Sequence, residues 1–208
     1  MTRLFALISF IVLLGGCAAG NTYQMDLDTV DTAVDTDKSV AVATVDLRPY
    51  IVSSDKTPDF VGLQRGGFGN PFDVLTTSTN PLAEDVTSTI TKALARKGIT
   101  ATPVTTAPLT GVDETRSMLF DAGRDRSLLV TMFELKSDTF FNTALHYDLK
   151  VFVFDDQGNE LASKSFTGPD NLGNLGSMPS TVGEGVSAEY GRKIAAILNS
   201  PEIIAALK

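Results

Sequence analysis

Few side chains in this chain are equipped for chemistry. His146 is the only histidine among 208 residues, with Asp148 two positions on. On a strand that spacing puts both on one face, where a carboxylate orients an imidazole for general-base work. No serine stands in a G-x-S-x-G turn to be served by that base, so the pair reads as a polar contact on a strand surface. Asp155 and Asp156 are adjacent carboxylates, but Asp155-Asp156-Gln157-Gly158-Asn159 has the composition of a tight turn. Gly66-Gly67-Phe68-Gly69 lacks the spacing of a dinucleotide loop, and Pro71 follows it closely. Asp170-Asn171-Leu172-Gly173-Asn174 offers oxygens at alternating positions without the later bidentate glutamate of a calcium loop. One cysteine and one histidine cannot build a structural zinc site. The reading is therefore no catalytic residue, no metal and no cofactor.

The one cysteine, Cys17, follows Leu14-Gly15-Gly16 at the end of an apolar run that begins at Leu4, behind a single positive charge, Arg3. A basic start, an apolar core of about ten residues and small residues at the end are the parts of a secretory signal peptide. The run is shorter than the roughly 20 residues that span a bilayer as a helix. Leu14-Gly15-Gly16-Cys17 resembles the lipobox of bacterial lipoproteins. The resemblance implies cleavage before Cys17, a diacylglyceryl group on its thiol and an acylated new amino terminus. Three acyl chains would anchor the protein stably where one would not. Ala18, where aspartate commonly marks retention in the inner membrane, implies the outer membrane, with the domain facing the periplasm. The alternative is an ordinary signal peptide followed by a stray cysteine.

Removing residues 1–16 takes out Arg3 and moves the formal net charge from −8 to −9. That balance excludes nucleic acid, which needs a basic patch to displace counterions, and electrostatic adhesion to an anionic bilayer. The size suits one domain with a real core, and a lone cysteine leaves no disulfide to support it.

Residues 17–38 are polar, with Asp26, Asp28, Asp31, Asp35 and Asp37 and no sustained period. They read as a lipidated amino terminus and a disordered acidic tether, with an acidic binding tail as the alternative. A single domain is expected over 39–208. Residues 39–47 (SVAVATVDL) are apolar on both faces and predict a strand covered on both sides. Asn80 as N-cap, Pro81 at the first turn, the apolar face Leu82, Val86, Ile90, Ala93 and Leu94, and Gly98 as stop predict a helix. A short strand over 99–104, a helix over 110–124 and strands over 127–135, 143–154 and 160–167 follow. The chain closes with a helix over about 182–198 and a short one after Pro201.

The fold class is thus α/β (α+β), a mixed sheet in the order β-α-β-α-β-β-β-α. That order, the lipobox, the strand-ending Asp46-Leu47-Arg48 and the helix from Pro81 resemble the small α/β domain of the TolB amino-terminal region, the curli secretion lipoproteins and the YajG-like lipoproteins. Between the first strand and that helix, residues 49–80 form a long glycine- and proline-punctuated stretch rich in apolar residues, an irregular flap or short hairpin bent at Gly66-Gly67. Arg65, Phe68 and Phe72 in it are the interaction candidates, since arginine and aromatics carry interface energy. The alternative is that Phe68 and Phe72 plug the flap onto the core. The expected function is that of a non-enzymatic accessory or scaffold protein, bound to the membrane through its lipid and to an envelope protein. A module binding a glycan or lipid fragment is the alternative, and a hydrolase comes third. The oligomeric state is left open.

Overall fold

The structure, a computed structural model, describes residues 21–176 and 178–208. In chain order the elements are β1 (Asn21–Tyr23), β2 (Val40–Asp46), α1 (Pro49–Val52), β3 (Phe60–Arg65), β4 (Pro71–Thr76), α2 (Leu82–Arg96), β5 (Ala101–Pro103) and α3 (Val112–Asp121). They continue with β6 (Arg126–Thr139), β7 (Thr143–Asp155), β8 (Glu160–Gly173), α4 (Pro179–Leu198) and α5 (Pro201–Leu207). The eight strands form one mixed sheet, and the five helices pack on it as a single α/β domain.

The sheet is organised by β6. One edge of this 14-residue strand pairs antiparallel with β7 along its whole length, and β8 extends that meander. The other edge is shared: β2 runs parallel to Arg126–Met132, and β3 runs parallel to Ser137–Thr139. A bulge between Met132 and Glu134 bends β6 where the two partners change over. Beyond β2 lies β5; beyond β3 lie β4 and then β1.

Arg48 fills the fork. Its side chain is wholly buried; it pairs with Asp46 at 2.7 Å and donates to the carbonyls of Phe60 (2.6 Å), Leu135 (3.1 Å) and Pro58 (3.3 Å). Those carbonyls lie where β2 leaves β6 and β3 joins it, so the guanidinium supplies donors that no neighbouring strand offers there. The strand end Asp46-Leu47-Arg48 is thus a structural device.

β2 is covered on both faces, as its sequence predicts. Val40 and Val42 enter the main core with α2, α4 and α5, while Ala41, Ala43 and Val45 meet Leu119 of α3 and Phe154 in a smaller core on the other side. Helix α2 begins one residue later than expected. Pro81, not Asn80, is the N-cap and makes no side-chain cap bond. The Leu82 N–H donates instead to the Pro58 carbonyl at 3.0 Å, so the hairpin entry satisfies the first free amide. Gly98, at φ +80°, ends the helix as predicted.

The tether reading fails for residues 21–38. β1 adds to the sheet as a parallel partner of β4. Tyr23 at its end and, beyond it, Met25, Val30 and Val34 are buried in the main core. This strap crosses α4 along Gly183, Ser187 and Gly191: a Cβ at Gly183 would stand 2.9 Å from the Tyr23 ring, and one at Gly191 3.0 Å from Leu27. Its polar backbone is met by side chains. Leu27 N–H donates to Thr89 Oγ1 (2.9 Å), Thr89 Oγ1 donates to the Met25 carbonyl (3.1 Å), and Ala33 N–H donates to Asn199 Oδ1 (2.6 Å). Lys92 of α2 holds both Asp26 and Asp28. An acidic, aperiodic segment is ordered because helices elsewhere in the chain supply its partners. The domain therefore begins at least at Asn21 rather than at 39. β8 also runs on to Gly173, through residues whose glycines and asparagines read as loop.

Candidate functional site

Residues 49–80 fold into α1 and the β3–β4 hairpin, whose turn spans Gly66–Asn70. Gly66 N–H donates to the Asn70 carbonyl and Gly69 N–H to the Gly66 carbonyl, with Gly69 at φ +82°. A turn so closed leaves Phe68 nothing to fold against, and its side chain is 99% exposed. Phe72 lies beside Gly66, where an added Cβ would sit 3.1 Å from the ring, and it remains half exposed. Leu63 is partly buried. Phe68 is not a core plug.

Arg65 has a different role from its neighbours. Its guanidinium grips Asp138 of β6 with two bonds, Nε to Oδ1 at 2.9 Å and a terminal nitrogen to Oδ2 at 2.7 Å. It staples the hairpin to β6 at the point where β3 pairs with that strand.

The register then brings other aromatics to the same end. Gln64 pairs with Thr139, so the β6–β7 turn at 140–142 lies beside the hairpin turn. That turn carries Phe140 and Phe141, with ring centroids 4.1 Å apart. The segment after β8 closes the same end, with Asn174 and Gly176 lining one depression together with Arg65, Phe140 and Phe141. Met178 follows at the entrance to α4. Of nine exposed large apolar side chains among the described residues, five gather here: Phe68, Phe72, Phe140, Phe141 and Met178. The sequence reading took in only the first two. The signal for the next pair was Thr139-Phe140-Phe141-Asn142-Thr143, two phenylalanines amid polar turn residues.

The remaining sequence candidates lie on strands and turns. His146 and Asp148 share β7, opposite Pro169 and Thr167 of β8. Asp155 accepts from the N–H groups of Gln157 and Asn159, and the Asn159 side chain and backbone hold its carboxyl below the usual range. Asp170 pairs with Lys193 of α4, and Asn171 and Asn174 turn back onto nearby backbone N–H groups. Among the described residues no group of three or more His, Cys, Asp or Glu side chains is placed to hold a metal. One cleft, of about 230 Å³, lies between α2 and the β2–β5 edge. Its polar lining includes the hydroxyls of Thr44, Thr87, Ser88 and Thr91, and the lysine on its wall, Lys92, is already paired with Asp26 and Asp28.

Leu14, Gly15, Gly16 and Cys17 lie outside the described residues. No helix among the described residues is long and apolar enough to cross a membrane.

Against known proteins, no family model and no curated sequence matches the chain. Solved structures do. The protein XCC0632 from Xanthomonas campestris, of the DUF330 family, superposes with a TM-score of 0.53 at 12% identity, over 91% of this chain and 90% of that one. The chain shares its fold. An uncharacterised protein superposes at 0.50 and 11% identity, over 86% of this chain and 96% of that one. PelC from Paraburkholderia phytofirmans, solved as a dodecamer, reaches only 0.40 at 14% identity, over 79% and 93% of the two chains. At such identities the first two likenesses speak of fold alone, and the third carries no weight.

Proposed function

We propose that this chain is a non-catalytic accessory protein of the bacterial envelope, lipid-anchored through Cys17 on the periplasmic face of the outer membrane and acting through surface contacts with envelope partners. The observation that carries the placement at a membrane is the aromatic end. Apolar side chains of this size, exposed together on three adjoining turns, mark a surface made to be covered. The anchor rests on Leu14-Gly15-Gly16-Cys17 and the apolar run before it. The carboxylates and the histidine that suggest chemistry in the sequence are engaged in turns, helix contacts and strand surfaces.

Mass spectrometry of the protein from its own host tests the anchor: a Cys17 amino terminus carrying three acyl chains is expected, and an unmodified cysteine in the mature protein overturns it. Crosslinking followed by capture of the acylated protein tests the role. One stoichiometric envelope protein is expected, whereas a hydrolytic activity lost on changing His146→Ala overturns the non-catalytic reading.

A further inference from the structure

The aromatic end is tied to the amino terminus by the topology of the sheet. β1 runs parallel to β4, with Asn21 opposite Val74. Parallel pairing means that the chain enters β1 at the end where β4 begins, and β4 begins at the β3–β4 turn. The Asn21 side-chain amide donates to Oε1 of Gln64, whose strand partners are Phe72 on β4 and Thr139 on β6. Asn21 therefore lies on the outer side of the hairpin, three residues along β4 from Pro71, with the Phe140–Phe141 turn on the hairpin's other side. Cys17 is four residues earlier in the sequence, and four residues span at most about 14 Å of extended chain.

We propose that the aromatic end is a bilayer-docking surface: Phe68, Phe72, Phe140, Phe141 and Met178 rest in the headgroup–acyl boundary of the membrane that holds the Cys17 lipid. The inference rests on the lipid-anchored reading above and names what the exposed end touches. A leash of at most about 14 Å, roughly twice the thickness of one headgroup layer, keeps that end near the anchor. Phe68 stands free at the tip of its turn, Phe72 at the start of β4, Phe140 and Phe141 beside the depression they share with Arg65, and Met178 at the entrance to α4, so the apolar groups project from several elements. Knobs of this kind suit a soft apolar boundary better than a rigid partner, whose interface needs a packed core. The end brings no free positive charge to anionic headgroups, since Arg65 is neutralised by Asp138; the attraction is apolar. Docked this way, the domain turns the Asp155–Asn159 end of the meander and the α3 face toward the periplasm, and these become the surfaces open to protein partners.

The chain has no tryptophan, so one introduced indole reports without background. The acylated mature protein carrying Phe68→Trp, Phe141→Trp or, as control, Leu161→Trp is reconstituted into phosphatidylcholine vesicles with brominated acyl chains. Leu161 is exposed near the start of β8, twelve residues from the Gly173 end, roughly 40 Å along the strand. Blue-shifted emission and about a two-fold loss on bromination are expected for positions 68 and 141, as for rings buried roughly 5–10 Å below the headgroups, with no change at 161. Flotation and the mass of the Cys17 peptide are measured on the same samples. An acylated protein that floats with unshifted, unquenched emission at 68 and 141 overturns docking and leaves the anchor intact. A blue shift without quenching, which means that a second copy or a co-purified protein covers the end, overturns it as well. A protein without acyl chains that fails to float removes the anchor and the docking together.

Discussion

Asp85 shows how one residue type serves an unexpected purpose. It lies in the first turn of α2, where a carboxylate is favoured by the helix dipole, yet its side chain is almost fully buried. Burial lifts its pKa from the usual 3.8 to about 6. The Ser78 hydroxyl, donating at 2.8 Å, opposes the rise, and the charges of Asp26 and Glu84 add to it. A carboxyl that holds its proton more tightly when folded favours the native state at low pH, and that contribution is lost as pH rises from about 4 to about 6. Asp85→Asn is expected to remove this decline from the pH-stability curve and to raise stability at neutral pH by up to about 3 kcal/mol; equal slopes for the two proteins in urea unfolding across that window would exclude it. Arg48 poses the reverse case. Arg48→Met leaves the Asp46 carboxylate, 8% exposed, without its partner, and strands the Phe60 and Leu135 carbonyls. Breaking a buried pair in this way costs about 3–5 kcal/mol, readable as a lower urea midpoint. Gly62 has no room to change: a Cβ would fall 2.6 Å from the Ser137 backbone oxygen where β3 joins β6. Gly62→Ala is expected to cost roughly 1–3 kcal/mol.

At the scale of elements, the strap is the one whose loss has the largest effect. It buries Tyr23, Met25, Val30 and Val34, and side chains of this kind contribute about 1.5–3 kcal/mol each. Even the lower figure sums to roughly 6 kcal/mol, comparable to the whole stability of many domains at 5–15 kcal/mol. A chain starting at Lys38 also uncovers the outer edge of β4 and the Gly183–Gly191 stripe of α4. It is expected to lose cooperative thermal unfolding and to aggregate through that edge. A melting temperature within a few degrees of the full mature chain would show that the strap adds nothing. The β3–β4 hairpin behaves differently, because its tip is outside the core. Phe68→Ala together with Phe141→Ala is expected to leave the melting temperature unchanged, as both side chains stand in water.

For the molecule as a whole, charge limits what the protein body can contribute at a membrane. A formal charge of −8, or −9 after the proposed cleavage before Cys17, repels anionic headgroups, so the protein body supplies no electrostatic attraction. Retention of the acylated protein on vesicles is therefore expected not to fall as ionic strength rises. Release by salt would point to a basic contact. Cys17→Ser is expected to move the protein from the membrane to the soluble fraction or to leave it unprocessed, with the folded domain unchanged.

The two apolar faces of β2, the alternation along β7, the 3.6-residue stripe of α2 and the turn residues at Asp155–Asn159 were legible in the sequence because each is a local pattern answering a local constraint. The strap was not legible. Its residues repeat with no sustained period, and the groups that order it, Thr89, Lys92, Gly183 and Asn199, stand more than 60 residues away in the chain. The fork at Arg48 was equally hidden, since a buried arginine is stable only where unpaired carbonyls converge, and that convergence exists only once β2 and β3 have both paired with β6. Phe68 and Phe72 could be named as candidates, but whether they faced the core depended on the geometry of their turn. Their grouping with Phe140, Phe141 and Met178 beside the chain's point of entry follows from strand register, a long-range property that residues adjacent in sequence do not encode.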